Sequence, residues 1–188
     1  MQAFPDLRLG LLNGWLPLAL YFAGFVLAVA SFSGEARARL FADPKVTMPA
    51  IVRVVRLLGQ VAMVVLIGLM IFTPLALDTL AFAIGVLTYC TGYGCVLVAL
   101  RCFRDTPAGQ AVVAGPYRLS RNPQWVGLVL VLVGAAVMTS VWLYLGIVLV
   151  VAIIYHQQIL AEEKVCLEQY GESFRAYRTA VARYFWFL

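Results

Sequence analysis

The sequence predicts an all-α fold: a polytopic membrane bundle of about five transmembrane helices with a cytoplasmic C-terminal helix. Three observations carry that prediction. Of the 188 residues, 63% are apolar and only 12% charged, against roughly 45–50% and 25% in soluble domains. Charged residues cut the chain into long apolar runs, and the basic residues gather between alternate runs. A soluble fold of this length cannot hide so much apolar surface, and a disordered chain carries far less of it. The length suits one membrane domain, residues 1–188.

The first run, Leu11 to Phe32, has 22 residues without a charge. The second extends from Leu57 to Phe72 and ends at Thr73-Pro74. The third runs from Thr79, just after Asp78, to Leu100. The fourth, Trp125 to Met138, is short and is expected to tilt against the fifth, Val141 to Ile159. A crossing helix needs about 20 residues, so the first and third qualify outright and the second and fifth with small extensions. Met1 to Gly10 lacks a basic n-region and an evident small-residue cleavage site, so the first run is expected to be a retained anchor.

Orientation follows from charge. Fourteen Lys/Arg against nine Asp/Glu leave a net charge of +5. Arg37, Arg39, Lys45, Arg53 and Arg56 separate runs one and two. Arg101, Arg104, Arg118 and Arg121 separate runs three and four, and Lys164, Arg175, Arg178 and Arg183 follow run five. Only Arg8 lies elsewhere. With five spans these loops share one side, which the positive-inside rule makes cytoplasmic, with the N-terminus outside. The positive excess is then a matter of topology, and no nucleic-acid partner is expected.

Polar residues concentrate in two places on that side. One is the connection from Arg101 to Gln124, where Gly115-Pro116 and Asn122-Pro123 interrupt helix and two arginines, Arg118 and Arg121, flank the breaks. Irregular backbone at membrane depth is tolerated only where protein or a watery cavity satisfies it. The other is His156 to Arg183, read as a helical continuation of run five. Its stripe of Cys166, Tyr170, Phe174, Tyr177 and Val181 has helical spacing and is expected to pack on the bilayer surface or back on the bundle. His156 and Glu163 are seven apart, as are Tyr155 and Glu162, so each pair shares a helix face. Ionisable residues at the end of a membrane helix suggest function, although such residues also simply mark where a helix leaves the lipid.

Of the cysteines, Cys90 and Cys95 are expected to pack in the core, and none of the four has metal-site spacing, so no metal is expected. Gly85, Gly92 and Gly94 are expected to allow close helix contact.

Taken together, Gly-Pro-Tyr-Arg-x-x-Arg-Asn-Pro-x-Trp-x-Gly (Gly115 to Gly127), Glu162-Glu163, and Tyr170-Gly171-x-x-Phe174-x-x-Tyr177 resemble the isoprenylcysteine carboxyl methyltransferase and phospholipid methyltransferase superfamily. The resemblance spans Val112 to Arg183. Asn122 stands where the family usually has His, Trp125 replaces Tyr, Tyr170 replaces Phe, and Ala182 replaces the Pro before Arg183. The resemblance implies an S-adenosyl-L-methionine-dependent methyltransferase, releasing S-adenosylhomocysteine and acting on a lipophilic acceptor from the bilayer. On this reading residues 105–188 form the cofactor-binding core and residues 1–104 the N-terminal transmembrane helices. Gly115, Pro116, Tyr117, Arg121, Asn122, Pro123, Trp125, Glu162 and Glu163 would enclose the cofactor. Arg121 suits a carboxylate through its fork, and Tyr117 or Trp125 suits adenine or the sulfonium. Arg121, Glu163 and His156 are the catalytic candidates, His156 or a glutamate serving as base where an amine or phenol must lose a proton. The acceptor is left open among an isoprenylcysteine carboxylate, an ethanolamine phospholipid, a lipid phenol and a small thiol. Two other classes compete: a nicotinamide-dependent membrane reductase of sterol-reductase type, and a membrane scaffold without activity.

Overall fold

The computed structural model describes residues 1–42 and 50–184, so Lys45 lies outside the described residues. It holds α1 (Trp15–Ala30), α2 (Gly34–Leu40), α3 (Ala50–Ile71), α4 (Leu80–Asp105), α5 (Pro123–Thr139) and α6 (Trp142–Ala180). A single 3-10 turn, Gly115–Arg118, interrupts the connection between α4 and α5. No strand is formed among the described residues, as expected where only helices satisfy their own backbone in lipid. Among the described residues, three helices are long and apolar enough to cross a membrane: Arg53–Ile71 within α3, α4, and the 39-residue α6. The shorter α1 and α5 have 16 and 17 residues.

The first apolar run therefore yields a shorter helix than its length suggests. Residues 11–14 stay out of the helix because their backbone is claimed by the α3–α4 turn: Gly14 donates to the Thr73 carbonyl at 2.9 Å, and Leu75 donates to that of Leu12 at 2.9 Å. A Cβ on Gly14 would stand 2.5 Å from the Met70 carbonyl oxygen, so only glycine permits this approach. Earlier residues continue across the same end of the bundle, with Gln2 donating to Ser140 O and accepting from Trp142 N. Both arginine-free turns are thus covered by the N-terminal segment.

The bundle's tightest contact is between α4 and α5. Gly85 and Gly92 on α4 face Gly134 and Gly127 on α5, and each pair is seven residues apart, two helical turns. A Cβ on Gly92 would lie 2.6 Å from Gly127 O, and one on Gly134 would lie 2.5 Å from Tyr89 N. Backbone meets backbone, the small-residue packing by which membrane helices associate without a hydrophobic driving force. Gly94 takes no part, since a Cβ there would meet nothing within 4 Å; at two residues from Gly92 it points to another face. Cys90, expected in the core, is exposed, whereas Cys95 is half-buried with its thiol 3.4 Å from the Pro123 carbonyl. Tyr89 and Tyr93 of α4 donate hydroxyl hydrogen bonds to the α1 carbonyls of Pro17 and Leu20, at 2.7 and 3.2 Å. Gly24 leaves the space that the Tyr93 ring occupies.

At the opposite end lie the loops that carry most of the arginines. Arg39 of α2 donates to the carbonyls of Phe103, Thr106 and Pro107 and lies 4.3 Å above the Phe103 ring, capping the end of α4. In α6, Gly171 takes φ 56° and ψ −130°, so the helix breaks there and resumes in a new direction. Cys166, Tyr170, Phe174 and Tyr177 therefore do not form one continuous face. Beyond the break Phe174 is buried, and Tyr177 donates to the Tyr117 carbonyl at 2.6 Å. The stripe's second half packs back on the bundle.

Candidate active site

The loop from Thr106 to Asn122, the far half of α6 and the residues after it converge on one carboxylate. Gly115 has φ +58°, and a Cβ there would stand 2.7 Å from the Cys102 thiol, so glycine is required both by the turn and by the approach to α4. Pro116 follows, with its fixed φ suited to the first turn. Tyr117 is buried, its hydroxyl accepting from Gln124 Nε2 at 3.0 Å. Ser120, fully buried, donates to the Arg183 carbonyl at 2.8 Å and accepts from Asn122 N at 3.1 Å.

Asn122 precedes α5, a position where asparagine commonly caps the helix. It makes no such cap; its Nδ2 donates instead to Glu163 Oε1 at 3.3 Å. Pro123, with no N–H of its own, suits the first position of α5.

Arg121 binds Glu163 with two N–H groups, Nε to Oε1 at 3.0 Å and Nη2 to Oε2 at 3.3 Å. Its Nη1 donates to the carbonyls of Arg178 and Val181 at 2.8 and 2.5 Å. Those carbonyls end α6 and have no intrahelical partner, so the guanidinium both caps that helix and complements its dipole. The fork that the sequence assigned to a ligand carboxylate is filled by the protein's own. Arg183 binds Glu163 in the same paired manner, at 3.1 and 3.0 Å. Glu163 thus receives five N–H donors, three on Oε1 and two on Oε2, so the roughly four lone-pair sites of its two oxygens are more than filled. The Glu163 and Arg121 side chains are 7% and 6% exposed, and that of Arg183 is 20%.

Two guanidiniums and one carboxylate leave a positive charge at this spot. Glu163 lies four residues past Ile159, beyond the apolar part of α6. Burial alone would raise its carboxyl, but the hydrogen bonds from Arg183 and Arg121 outweigh it and hold the group below the ordinary carboxylate range. Burial raises the nearby Tyr177 and Tyr184 hydroxyls and lifts the Cys166 thiol to about 11.

Around the cluster, Trp125 stacks on Tyr155 with centroids 4.7 Å apart and planes at 16°. His156 Nδ1 is 2.9 Å from the Tyr184 hydroxyl. Glu162 accepts from Gln158 Nε2 at 3.0 Å, one helical turn back. Arg121, Asn122 and Glu163 are therefore brought together, and Gly115, Pro116 and Tyr117 form a turn against α4. Trp125, His156 and Glu162 each engage a different neighbour. Arg183, Ser120 and Tyr184 were missed as site residues. Arg183 had a signal, its place at the end of the resembling segment; Ser120 and Tyr184 had none. Among the described residues, no three His, Cys, Asp or Glu side chains gather as metal ligands.

Fold and site define a helical membrane protein with a buried charged cluster joining a loop, a helix and the C-terminal segment at one end of the bundle. Comparison with curated proteins finds no match. Residues 75–173, just over half of the chain, match the phospholipid methyltransferase family, and the chain belongs to it. It is a membrane protein of a family of methyltransferases acting on lipids.

Proposed function

We propose that this protein is an S-adenosylmethionine-dependent methyltransferase that methylates a lipophilic acceptor at the arginine-rich end of the bundle, on the cytoplasmic side. The observation that carries this reading is the buried Arg121–Asn122–Glu163–Arg183 cluster at the arginine-rich end; in this reading that end is the boundary where a polar cofactor from water and an acceptor from lipid meet. Residues 105–188 form the cofactor-binding core in this reading. All five long helices cross the membrane, α1 and α5 near the lower length limit of about 17 residues, and the N-terminus is outside.

The donor chemistry fits the cofactor. The cluster's surplus positive charge suits the methionine carboxylate. Arg183 is the guanidinium to hold it, since its Nη1 has no hydrogen-bond partner among the described residues while Arg121 is committed to Glu163 and the end of α6. Glu162 suits the amino group or the ribose hydroxyls. Trp125, one ring face against Tyr155, offers the other to adenine or the sulfonium. The Gly115–Pro116 turn and Pro123 bound the site, and buried Tyr117 backs it. Arg121, Asn122 and Glu163 act as positioning residues that keep the loop and Arg183 in register.

When bound, the cofactor supplies a methyl group electrophilic enough for direct displacement. The chain's part is to hold acceptor and methyl in line and to exclude water, which removes much of the entropic barrier. An acceptor carboxylate gives up no proton. An amine or phenol acceptor does, and His156 Nε2 receives it in the tautomer whose Nδ1–H donates to the Tyr184 hydroxyl.

Thermal stabilisation of the detergent-solubilised chain tests this. S-adenosylhomocysteine at a hundred times its dissociation constant should stabilise by about 2.7 kcal/mol, visible as a higher melting temperature. Arg183→Ala should weaken that binding, and Arg183→Lys should restore it in part. A shift with NADPH and none with S-adenosylhomocysteine would overturn the proposal.

A further inference from the structure

A second polar site lies apart from the charged cluster. At the arginine-rich end, α1 and α4 part to leave a cleft of about 180 Å³ lined by Ala28, Ser31, Phe32, Leu97, Arg101 and Arg104. It is too small for a nucleoside cofactor, since ligand pockets for molecules of that size hold roughly 300–1,000 Å³. Its walls divide by chemistry. Ala28, Phe32 and Leu97 make the apolar side, and their chain neighbours Leu27 and Val98 are exposed. The arginines make the other.

The arginines are not alike. Arg104 is fixed: its Nη1 donates to Ser31 Oγ on α1 at 3.1 Å, its Nε pairs with Asp105 at 2.8 Å, and its side chain is 35% exposed. Arg101 is 77% exposed, reaches only Asp105 at 3.8 Å, and makes no hydrogen bond among the described residues. Two guanidiniums thus share one carboxylate, and one keeps its donors. An arginine that merely extends to the bilayer surface needs no partner helix; here Arg104 is tied across two helices, and an apolar recess opens beneath the pair.

We propose that the α1–α4 cleft binds the phosphate of an anionic phospholipid, with Arg101 and Arg104 on the headgroup and the first acyl carbons against Leu97, Ala28 and Leu27. Basic pockets between membrane helices near the aqueous face take anionic headgroups in this manner. The site is independent of the methyl-transfer proposal and uses none of its residues. Its occupant joins α1 to α4 at the end where the Arg104–Ser31 bond ties them, away from the Tyr89 and Tyr93 hydroxyl bonds to the Pro17 and Leu20 carbonyls.

Titration of phosphatidylglycerol into the detergent-solubilised chain, read as retained lipid by native mass spectrometry, tests it. Phosphatidylglycerol should be retained in preference to phosphatidylcholine. Arg101→Gln with Arg104→Gln should weaken retention about thirtyfold, the effect of two basic residues beside an anionic surface. Ala28→Trp, which fills the recess and leaves both arginines, should weaken it too. Equal retention of the two lipids, or unchanged retention in both variants, overturns the site. Inorganic phosphate or glycerol phosphate displacing phosphatidylglycerol at a concentration no higher than the lipid's overturns the assignment to a lipid.

Discussion

Glu163 is the residue on which the site depends. Removing one partner of a buried ion pair costs about 3–5 kcal/mol, because the charge left behind has no compensation. Glu163→Gln leaves two guanidiniums facing a neutral amide, and should lower the melting temperature more than the neighbouring Glu162→Gln; differential scanning fluorimetry in detergent checks this. The carboxyl also sets a pH dependence. Its value in the folded chain is depressed, so its contribution is fully present above the unfolded value of about 4.3 and is lost as pH falls through the lower folded value. Melting temperature should therefore drop below about pH 4 in the wild type. In Glu163→Gln that part of the drop should be absent, leaving a flatter profile.

At the scale of elements, two features can be separated by substitution. The α4–α5 seam admits no side chain: Gly134→Leu places atoms where Tyr89 N and Gly85 O lie and should abolish folded protein in detergent, as judged by size-exclusion chromatography. Gly94→Ala, on the same helix as Gly92 but facing open space, should be neutral or gain up to about 1 kcal/mol of helix propensity. The break at Gly171 is the second feature. Its φ of 56° with ψ −130° is a conformation other residues adopt at a cost of about 1–3 kcal/mol. Gly171→Ala should loosen residues 172–184 from the loop, seen as faster proteolysis after Arg175 and Arg178, and should weaken S-adenosylhomocysteine binding with the seam intact.

The whole molecule has two unlike ends, one wrapped by the N-terminal segment and nearly free of basic residues, the other carrying most of the arginines. The proposed orientation makes a direct prediction. In a cysteine-free background, a cysteine at Asp78 should react with a membrane-impermeant maleimide from outside intact cells, and one at Glu172 should react only after permeabilisation. The reverse pattern would place the cluster, and the proposed cofactor site, on the outer face.

What the sequence determined by itself was the helical membrane class, the position of the apolar runs and the superfamily. Each rests on local information: hydropathy over about 20 residues, helix-breaking Pro and Gly, and motif spacing. The same locality brought Arg121, Asn122 and Glu163 into view as a set. It could not assign their partners, because a guanidinium suits a ligand carboxylate and a glutamate 42 residues away equally well. Nor does spacing show that residues 11–14 are taken out of helix by a turn 60 residues on, or that Gly171 redirects α6 so that Arg183 returns to Glu163. Gly92 and Gly94 looked alike in sequence and differ only in what each faces. These outcomes depend on pairings between distant segments, which only the packed chain decides: backbone and charge buried at the end of a bundle must find partners inside the protein, and Glu163 is the partner that loop and tail share.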